Sequence, residues 1–321
     1  MNSLRLLMIW LMACMMTFAA TSVRAGDTLT LVLDWFVNPD HAPLIVAKEK
    51  GFFQEQGLKV RLVTPSNPND PPKLVAAGKA DLAVSYQHQH MLQVSQGLPL
   101  VRMATLVATP LNSLLVLADS DIEDLADLKG ATVGYSVGGF ETVLLEVMLQ
   151  TAGLELEDVR LVNVNFSLSP SLIAGKTDAV IGPFRNFEPN QMELEGRPGR
   201  AFYVEEYGVP PYDELILVCH RDRTDDDRFR RFVAALEVGV QFLINHPDQA
   251  WEHFVAFDPE LDDALNRMAW KDTLTRFALR PGALDKARYI RFARFMQRQG
   301  MIQDLPELSG YALELPLDSS R

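Results

Sequence analysis

The sequence predicts an α/β protein with two similar lobes, each built on a doubly wound sheet. Three observations predict it: a repeated phrase, a strand and helix order that occurs twice, and two apolar segments that cross between the repeats. The phrases are LVAAGKADLAVS at 74–85 and SLIAGKTDAVIG at 171–182, which align without a gap and share Ala-Gly-Lys-x-Asp. Repeated units of this kind indicate that the chain builds the same supersecondary structure twice.

Each copy of the phrase predicts a helix, a tight turn and a strand. A helical pattern ends at Gly78 in the first copy and at Gly175 in the second, and glycine is common just after a helix. The apolar runs that follow, at 82–85 and 179–182, are typical of buried parallel strands. Each copy is therefore the second half of a β-α-β unit.

The first halves of these units precede the phrases in the order strand, helix, strand. They lie at 29–34, 42–56 and 59–63 in the first lobe and at 131–135, 141–152 and 159–164 in the second. The order β-α-β-α-β thus occurs twice, which predicts two sheets with helices on their faces.

Two apolar segments predict the connections between the lobes. The segment 114–118 enters the second lobe and 215–219 leaves it, and each leads into an acidic stretch. The predicted first lobe is therefore 26–115 plus 213–321, and the second is 116–212. Beyond Asp226 the pattern predicts helices at 228–245, 248–257, 260–276 and 284–299.

The first 25 residues predict a signal peptide and a periplasmic location. Arg5 is followed by an apolar stretch at 6–20, and Val23-Arg24-Ala25 has the small residues of a cleavage site. The alternative is a lipid-anchored form through Cys14, because 11–14 resembles a lipobox. If Cys14 leaves with the signal peptide, Cys219 remains, and its apolar neighbours predict a buried structural thiol.

Composition and motifs restrict the partners of the chain. Its 321 residues suffice for two domains, and the formal net charge of -12 argues against nucleic acid as a partner. The sequence contains no Walker loop, HExxH or GxSxG. His41, His88 and His90 do not have the spacing of a metal site, so no metal is predicted. We expect a monomer that binds a small molecule.

Two similar lobes, two crossovers and an exported acidic chain are typical of the two-lobed periplasmic-binding-protein fold of type II. In open α/β sheets, ligands bind beyond the carboxyl ends of the strands. Two such sheets that face each other form a cleft, and a hinge can close it on a small molecule. The prediction is therefore a solute-binding protein and not an enzyme.

The loops that follow the strands supply the predicted ligand-binding residues. They are Asp34, Trp35, Asn38, His41, Ser85, Tyr86, Ser136, Gly138, Gly139, Phe184, Asn186 and Glu188. Flat rings can stack on a planar heterocycle, carboxylates can accept hydrogen bonds from its amine, and backbone N–H groups of the glycine loop can bind a carbonyl or an anion. Core packing for the rings, and a salt bridge or a helix cap for Asp34 and Glu188, are the alternatives.

The block LDWFVNPDHAPLIVAKEKGFF at 33–53 resembles the thiamine-pyrimidine family. These are solute-binding proteins of ABC transporters for pyrimidine precursors of thiamine, and eukaryotic pyrimidine synthases are related to them. The resemblance covers about 28–245 and implies that formylaminopyrimidine or hydroxymethylpyrimidine binds between rings and carboxylates, for delivery to a permease in the inner membrane. By position, Trp35 and Glu188 match binding residues of the family, whereas Phe184 replaces the usual tyrosine.

The resemblance also implies how this chain differs from the synthase branch. In the synthases a lysine and a histidine react, and cysteines lie nearby; here those positions are Ser85 and Gln89, and 165–171 has no cysteine. Pyridoxal phosphate is held covalently by a lysine, so we expect transport without a cofactor. A sulfonate, nitrate or another heterocycle is the alternative ligand, and an anion would use Arg185.

Overall fold

The structure is a computed structural model that describes residues 26–139 and 141–316. The predicted signal peptide, with Cys14 and its alternative lipid anchor, lies outside the described residues. Among the described residues, none of the helices combines the length and the hydropathy that a membrane span requires.

Ten strands and eleven α-helices form the described chain. The strands are β1 Asp27–Val32, β2 Leu58–Val63, β3 Leu82–Ser85, β4 Leu100–Val107, β5 Asn112–Leu117, β6 Thr132–Tyr135, β7 Arg160–Asn163, β8 Ala179–Phe184, β9 Gly199–Tyr203 and β10 Leu215–His220. The helices are α1 Ala42–Glu49, α2 Phe52–Glu55, α3 Pro71–Ala76, α4 Gln87–Ser95, α5 Glu141–Thr151, α6 Leu168–Ile173, α7 Glu188–Leu194, α8 Asp227–Asn245, α9 Pro247–Phe257, α10 Ala264–Thr273 and α11 Lys286–Arg298.

The strands form two sheets of five with matching topology. The order is β2-β1-β3-β10-β4 in the first sheet and β7-β6-β8-β5-β9 in the second. The first three strands of each order are parallel, the fourth strand is antiparallel to both of its neighbours, and the fifth therefore runs in the direction of the first three. Each sheet is therefore mixed, because its fourth strand is a crossing segment that pairs in the sheet it enters. We refer to the sheets with their helices as the first and second lobes.

The predicted lobe ranges place their first division inside a strand. The predicted first lobe ends at residue 115, whereas β5 pairs with the second sheet from Asn112 onward. The apolar pattern begins only at Leu114, which is why the sequence suggested a later boundary. The other bounds of the two predicted lobes remain predictions.

The repeated phrase makes the same turn in both lobes. Gly78 and Gly175 each have φ +67°, a left-handed conformation that glycine adopts without strain. The aspartate of each phrase then accepts from the strand that pairs in parallel with the strand after the phrase, β1 in the first sheet and β6 in the second. Asp81 Oδ2 accepts from the Thr30 N–H at 2.7 Å, and Asp178 Oδ2 accepts from the Thr132 N–H at 2.7 Å. The shared residues therefore dock a strand beside its neighbour.

Two predicted helices are interrupted. The helix predicted at 42–56 is α1 and α2, because Gly51 between them has φ +81°. The helix predicted at 260–276 reduces to α10, whose start is capped by the Asp263 side chain accepting from the Asn266 N–H at 2.7 Å. Glycine in the left-handed region and an aspartate N-cap are both signals of helix boundaries.

The helices after β10 pack on the first lobe. The buried face of α8 packs against α1, and Gly239 lies so close to α1 that an added Cβ would stand 2.8 Å from the Ala47 Cβ. The fully buried Arg102 of β4 ties the last described segment to the sheet, donating to the carbonyls of Leu313 at 2.8 Å and Pro281 at 3.1 Å. Cys219 is buried in β10, and burial raises the pKa of its thiol to about 12.

Candidate functional site

A cavity lies between the two sheets, where the strands end. Both lobes contribute to its wall. The lining residues are Asp34, Trp35, Asn38, Asp40, Tyr86, Asn112, Val137, Glu141, Leu168, Gly182, Phe184, Phe187 and Glu188. Carboxyl groups and aromatic rings dominate this wall, and a planar ligand with hydrogen-bond donors fits such a surface.

The buried Asp34 organises the first-lobe side of the cavity. Its Oδ1 lies 2.9 Å from His41 Nε2, and its Oδ2 accepts from the Tyr86 hydroxyl at 2.9 Å. His41 Nδ1 accepts from the Asn38 N–H at 3.3 Å, so the neutral ring carries its proton on Nε2 and donates to Asp34. Both oxygens of Asp34 are thus engaged, and the residue positions the Tyr86 ring.

The loop that starts α1 places Asp40 at the boundary between the lobes. The Asn38 side chain accepts from the Asp40 N–H at 2.8 Å and so caps the short helical turn Pro39–His41. Asp40 Oδ1 accepts from Asn186 Nδ2 of the second lobe at 2.7 Å. Burial raises the pKa of Asp40 to about 6, and its Oδ2 has no hydrogen-bond partner among the described residues.

Glu141 begins α5 and lines the second-lobe side. Its Oε2 accepts from the backbone N–H groups of Ser136 at 2.7 Å and Val137 at 3.1 Å, which the Gly-rich loop directs at the helix start. Burial raises the pKa of Glu141 to about 8. Gly182 leaves the room that this carboxyl occupies, because a Cβ there would stand 2.6 Å from Glu141 Oε1.

Glu188 occupies the matching position at the start of α7. Its Oε2 accepts from the Phe184 N–H at 2.6 Å, so the carboxyl closes the turn between β8 and the helix. Burial raises the pKa of Glu188 to about 8 as well. Two carboxyl groups on the second-lobe wall therefore retain a proton at neutral pH, and each can donate it to a ligand.

Aromatic rings from both lobes surround these carboxyl groups. The Tyr86 and Phe184 ring centroids are 6.3 Å apart at an interplanar angle of 88°, and Trp35 packs edge-on against Phe166 at 4.6 Å. Trp35 Nε1 is buried without a hydrogen-bond partner among residues 26–139 and 141–316. The wall thus offers ring faces and an indole N–H donor.

Six of the predicted site residues line the cavity: Asp34, Trp35, Asn38, Tyr86, Phe184 and Glu188. Two more, His41 and Asn186, contact lining carboxylates from behind. The alternative roles of a salt bridge and a helix cap are met only loosely: Asp34 hydrogen-bonds the neutral His41 ring, and Glu188 is the first residue of α7 but accepts from the Phe184 N–H before the helix.

The other four predicted residues do not line the cavity. Ser85 donates to Gln89 Oε1 at 3.3 Å. The predicted use of the glycine loop for a carbonyl or an anion stays a prediction, and in this structure N–H groups of the loop have partners within the protein. The Ser136 N–H is donated to Glu141, and the Gly138 N–H to Asn69 Oδ1 at 3.0 Å. Gly139 lies beside Leu92, away from the lining set.

Sequence reasoning missed seven lining residues: Asp40, Asn112, Val137, Glu141, Leu168, Gly182 and Phe187. Asp40 and Glu141 did carry a signal, because each is an acidic residue at the start of a helix that follows a predicted strand. Asn112 carried none, since its place depends on β5 pairing with β8, far away in sequence.

Among the described residues, the cavity wall has no cationic side chain that could bind an anion, and no metal site is found. Arg185, the candidate for an anion, donates to both carboxylate oxygens of Glu205 at 2.6 Å and does not line the cavity. In the described part of the chain, no three His, Cys, Asp or Glu side chains group as metal ligands would.

The chain is similar in sequence to a family profile and to known proteins. A sequence profile described as NMT1/THI5 like matches residues 38–250. A Haemophilus influenzae protein with a thiamine-biosynthesis name is 53% identical over 91% of this chain and 93% of its own length. The formylaminopyrimidine-binding protein of Halalkalibacterium halodurans is 38% identical over 77% of this chain and 76% of its own length.

A synthase and a solved structure complete the comparison. A Saccharomyces cerevisiae 4-amino-5-hydroxymethyl-2-methylpyrimidine phosphate synthase is 29% identical over 75% of this chain and 74% of its own length. The alkanesulfonate-binding protein SsuA of Xanthomonas axonopodis pv. citri, 16% identical, superposes with a TM-score of 0.71 over 89% of this chain and 98% of that one. The predicted two-lobed fold is thereby confirmed, as is the predicted resemblance: the chain belongs to the NMT1/THI5-like family.

Proposed function

We propose that this protein is the solute-binding component of an ABC importer for an aminopyrimidine precursor of thiamine, formylaminopyrimidine or hydroxymethylpyrimidine. It binds the solute in the periplasm and delivers it to a permease in the inner membrane, without catalysing a reaction. The name of the Halalkalibacterium halodurans relative and the binding-protein fold support this proposal.

The observation that carries the proposal is the placement of buried carboxyl groups beside aromatic rings in one cavity. An aminopyrimidine presents a flat ring, an exocyclic amine and a basic ring nitrogen. Glu188, with a pKa raised to about 8, holds a proton at neutral pH that it can pass to the ring nitrogen. The carboxylate that results accepts charge-assisted hydrogen bonds from the amine and the protonated ring. Trp35, Tyr86 and Phe184 supply ring faces for the heterocycle.

An anionic ligand fits the same wall poorly. No arginine or lysine is among the described residues that line the cavity, whereas Asp34, Asp40, Glu141 and Glu188 are. A sulfonate or nitrate would be placed beside these carboxyl groups without a cationic partner, and burial of an unpaired charge is costly. The geometry therefore favours the aminopyrimidine over the alternative anions.

The synthase reaction lacks its reacting side chain in the cavity. Ser85 and Gln89 occupy the positions where the resemblance implies a lysine and a histidine, and these two side chains bond to each other. No lysine lines the cavity within the described residues. A serine cannot form the imine that a lysine forms with pyridoxal phosphate.

Thermal unfolding of the purified protein with a ligand panel tests the proposal. The panel holds formylaminopyrimidine, hydroxymethylpyrimidine, thiamine, an alkanesulfonate, nitrate and pyridoxal phosphate. A ligand that binds only the folded state stabilises it by about 2.7 kcal/mol at a hundredfold excess over Kd, which raises the melting temperature. We expect a shift with an aminopyrimidine and none with the anions. A shift with an anion alone would refute the ligand class, and an absorbing adduct with pyridoxal phosphate would favour the synthase.

A further inference from the structure

Asn112 stands at the first position of β5 and lines the cavity with none of its surface exposed to solvent. It is the register partner of Phe184 in the antiparallel pair of β5 and β8. Side chains of directly opposed residues emerge on the same face of a sheet. Asn112 and Phe184 therefore share the wall that faces the ligand space.

The side-chain amide of Asn112 is the unusual feature of this wall. Neither Nδ2 nor Oδ1 has a hydrogen-bond partner among residues 26–139 and 141–316. A buried primary amide without partners is unfavourable, and native structures rarely keep one without a purpose. The amide offers a donor and an acceptor at one point, whereas an ionised carboxylate only accepts.

The backbone of Asn112 is fixed independently of its side chain. Glu214 Oε2 accepts from the Asn112 N–H at 2.9 Å, from the Leu111 N–H at 2.6 Å and from the Tyr212 hydroxyl at 2.9 Å. Glu214 lies just before β10, so this carboxyl joins the two segments that cross between the lobes. The amide of Asn112 thus lies at the crossover, and a ligand that binds it contacts a segment that connects the two lobes.

Other polar groups of the wall have partners or offer a single function: Trp35 Nε1 only donates, and Asp40 Oδ2 has no partner in the described part of the chain but belongs to a carboxylate that only accepts when ionised. Asn38 Nδ2 donates to the Phe36 carbonyl, and Tyr86 donates to Asp34. The carboxyl groups of Glu141 and Glu188 suit the amine and ring nitrogen of an aminopyrimidine. For a second polar part of such a ligand that both donates and accepts, the wall group without a partner that offers both functions is the amide of Asn112.

We propose that Asn112 is a specificity-determining residue that binds a neutral ligand substituent carrying both a donor and an acceptor. On an aminopyrimidine that substituent is a formamide or a hydroxymethyl group, and the inference rests on the proposed function. Nδ2 donates to the oxygen of the substituent, and Oδ1 accepts from its N–H or O–H. A phosphate on the same position is disfavoured, because the described residues that line the cavity include four carboxyl groups and no arginine or lysine.

Calorimetric titration of the full mature chain and of Asn112→Leu tests the inference. The ligands are the formylamino compound, the hydroxymethyl compound and the aminopyrimidine with a methyl group in place of either substituent. Leucine keeps the approximate size of asparagine and removes both hydrogen-bonding atoms. We expect a loss of affinity of about tenfold or more for the ligand whose substituent contacts Asn112, and less than about threefold for the methyl compound.

Ser113→Ala is the matched control. Ser113 is buried on the same strand and donates to the Pro183 carbonyl at 2.9 Å, yet it does not line the cavity. The change in ligand affinity of Ser113→Ala measures the effect of altering β5 at a residue that does not line the cavity. Asn112→Ser, with a shorter polar side chain, replaces the leucine variant if circular dichroism shows that the latter is unfolded.

The ligand that loses affinity for Asn112→Leu identifies the substituent. A loss for the formylamino compound alone indicates a formamide, and a loss for the hydroxymethyl compound alone indicates a hydroxyl. Equal losses for all three compounds, or no loss for any, would overturn the role of Asn112 while leaving the proposed function intact. If the unaltered protein binds none of the three, the proposed function itself fails, and the inference falls with it.

Discussion

Glu188 shows how one residue serves the fold and the ligand together. It begins α7, and its Oε2 accepts from the Phe184 N–H at 2.6 Å, which fixes the turn after β8. The Glu188 carboxyl is buried at this position, and burial raises its pKa to about 8. A group that titrates near neutral pH can share a proton with a weakly basic ring nitrogen, so a helix-start carboxyl becomes a recognition group.

Glu188→Gln should weaken aminopyrimidine binding by about ten- to a hundredfold. Glutamine retains an oxygen for the Phe184 N–H but has no proton to give and no charge to gain, so the charge-assisted pair is lost. Isothermal titration calorimetry measures the change. Glu193→Gln, on the exposed face of the same helix, is the control and should bind like the parent. Unchanged affinity in Glu188→Gln would remove the residue from the site.

At the scale of elements, side chains from loops and short helices join the lobes across the cavity. Asn69, just before α3, accepts from the Gly138 N–H at 3.0 Å and donates to the Ser136 carbonyl at 3.3 Å. On another side, Asn190 of α7 donates to Asp272 of α10 at 2.9 Å. These bonds exist only when the lobes meet, so they add to the stability of the closed arrangement.

Asn69→Ala should lower ligand affinity by about two- to tenfold although Asn69 does not line the cavity. The variant loses hydrogen bonds of the closed arrangement, each with a net contribution of about 1 kcal/mol, and the ligand must compensate for their loss. Calorimetry gives the affinity, and small-angle scattering should show a larger radius of gyration. Asn163→Ala is the control, because Asn163 donates to the same Ser136 carbonyl from within the second lobe. Equal effects of both variants would contradict a role in closure.

At the scale of the whole molecule, the buried carboxyl groups make stability depend on pH. Burial raises the pKa of Glu141 and Glu188 to about 8 and that of Glu214 to about 7. The folded state therefore holds protons that the unfolded chain releases above pH 4.5. Their contribution to stability is complete below that pH and is lost as the pH rises through 7 and 8. His88 and His90, whose pKa values burial lowers, act in the opposite direction but only below pH 6.5.

The free energy of unfolding should accordingly fall by on the order of 4 kcal/mol between pH 6.5 and 8.5, since each of the three retained protons changes it by up to about 1.4 kcal/mol per pH unit until its group ionises. Urea titrations at both pH values measure the fall. Glu141→Gln should reduce it, because glutamine can still accept from the Ser136 N–H without titrating. Glu146→Gln on the same helix should leave it unchanged. A stability that rises with pH over this interval would contradict the assignment.

Much of the fold could be read from local patterns. The phrase Ala-Gly-Lys-x-Asp predicted both helix-to-strand turns, and the structure shows the same left-handed glycine and the same aspartate contact in each lobe. The helix at 42–56 was predicted without its break, because the pattern of apolar residues continues through Gly51. Glycine interrupts a helix where its neighbours pack to permit a left-handed turn, and packing is not visible in a local window.

The sequence by itself determined the two-lobed α/β architecture, the family, and the loops that hold Asp34, Trp35, Tyr86, Phe184 and Glu188. Those features depend on periodicity, turn residues and a contiguous block of sequence, which are all local. Only the tertiary structure decided that Asn112 meets Phe184, that Glu214 joins the crossovers, and which carboxyl groups are buried together. Strand pairing and burial arise between residues that lie far apart along the chain, and the pKa of a carboxyl depends on the surroundings that this pairing creates.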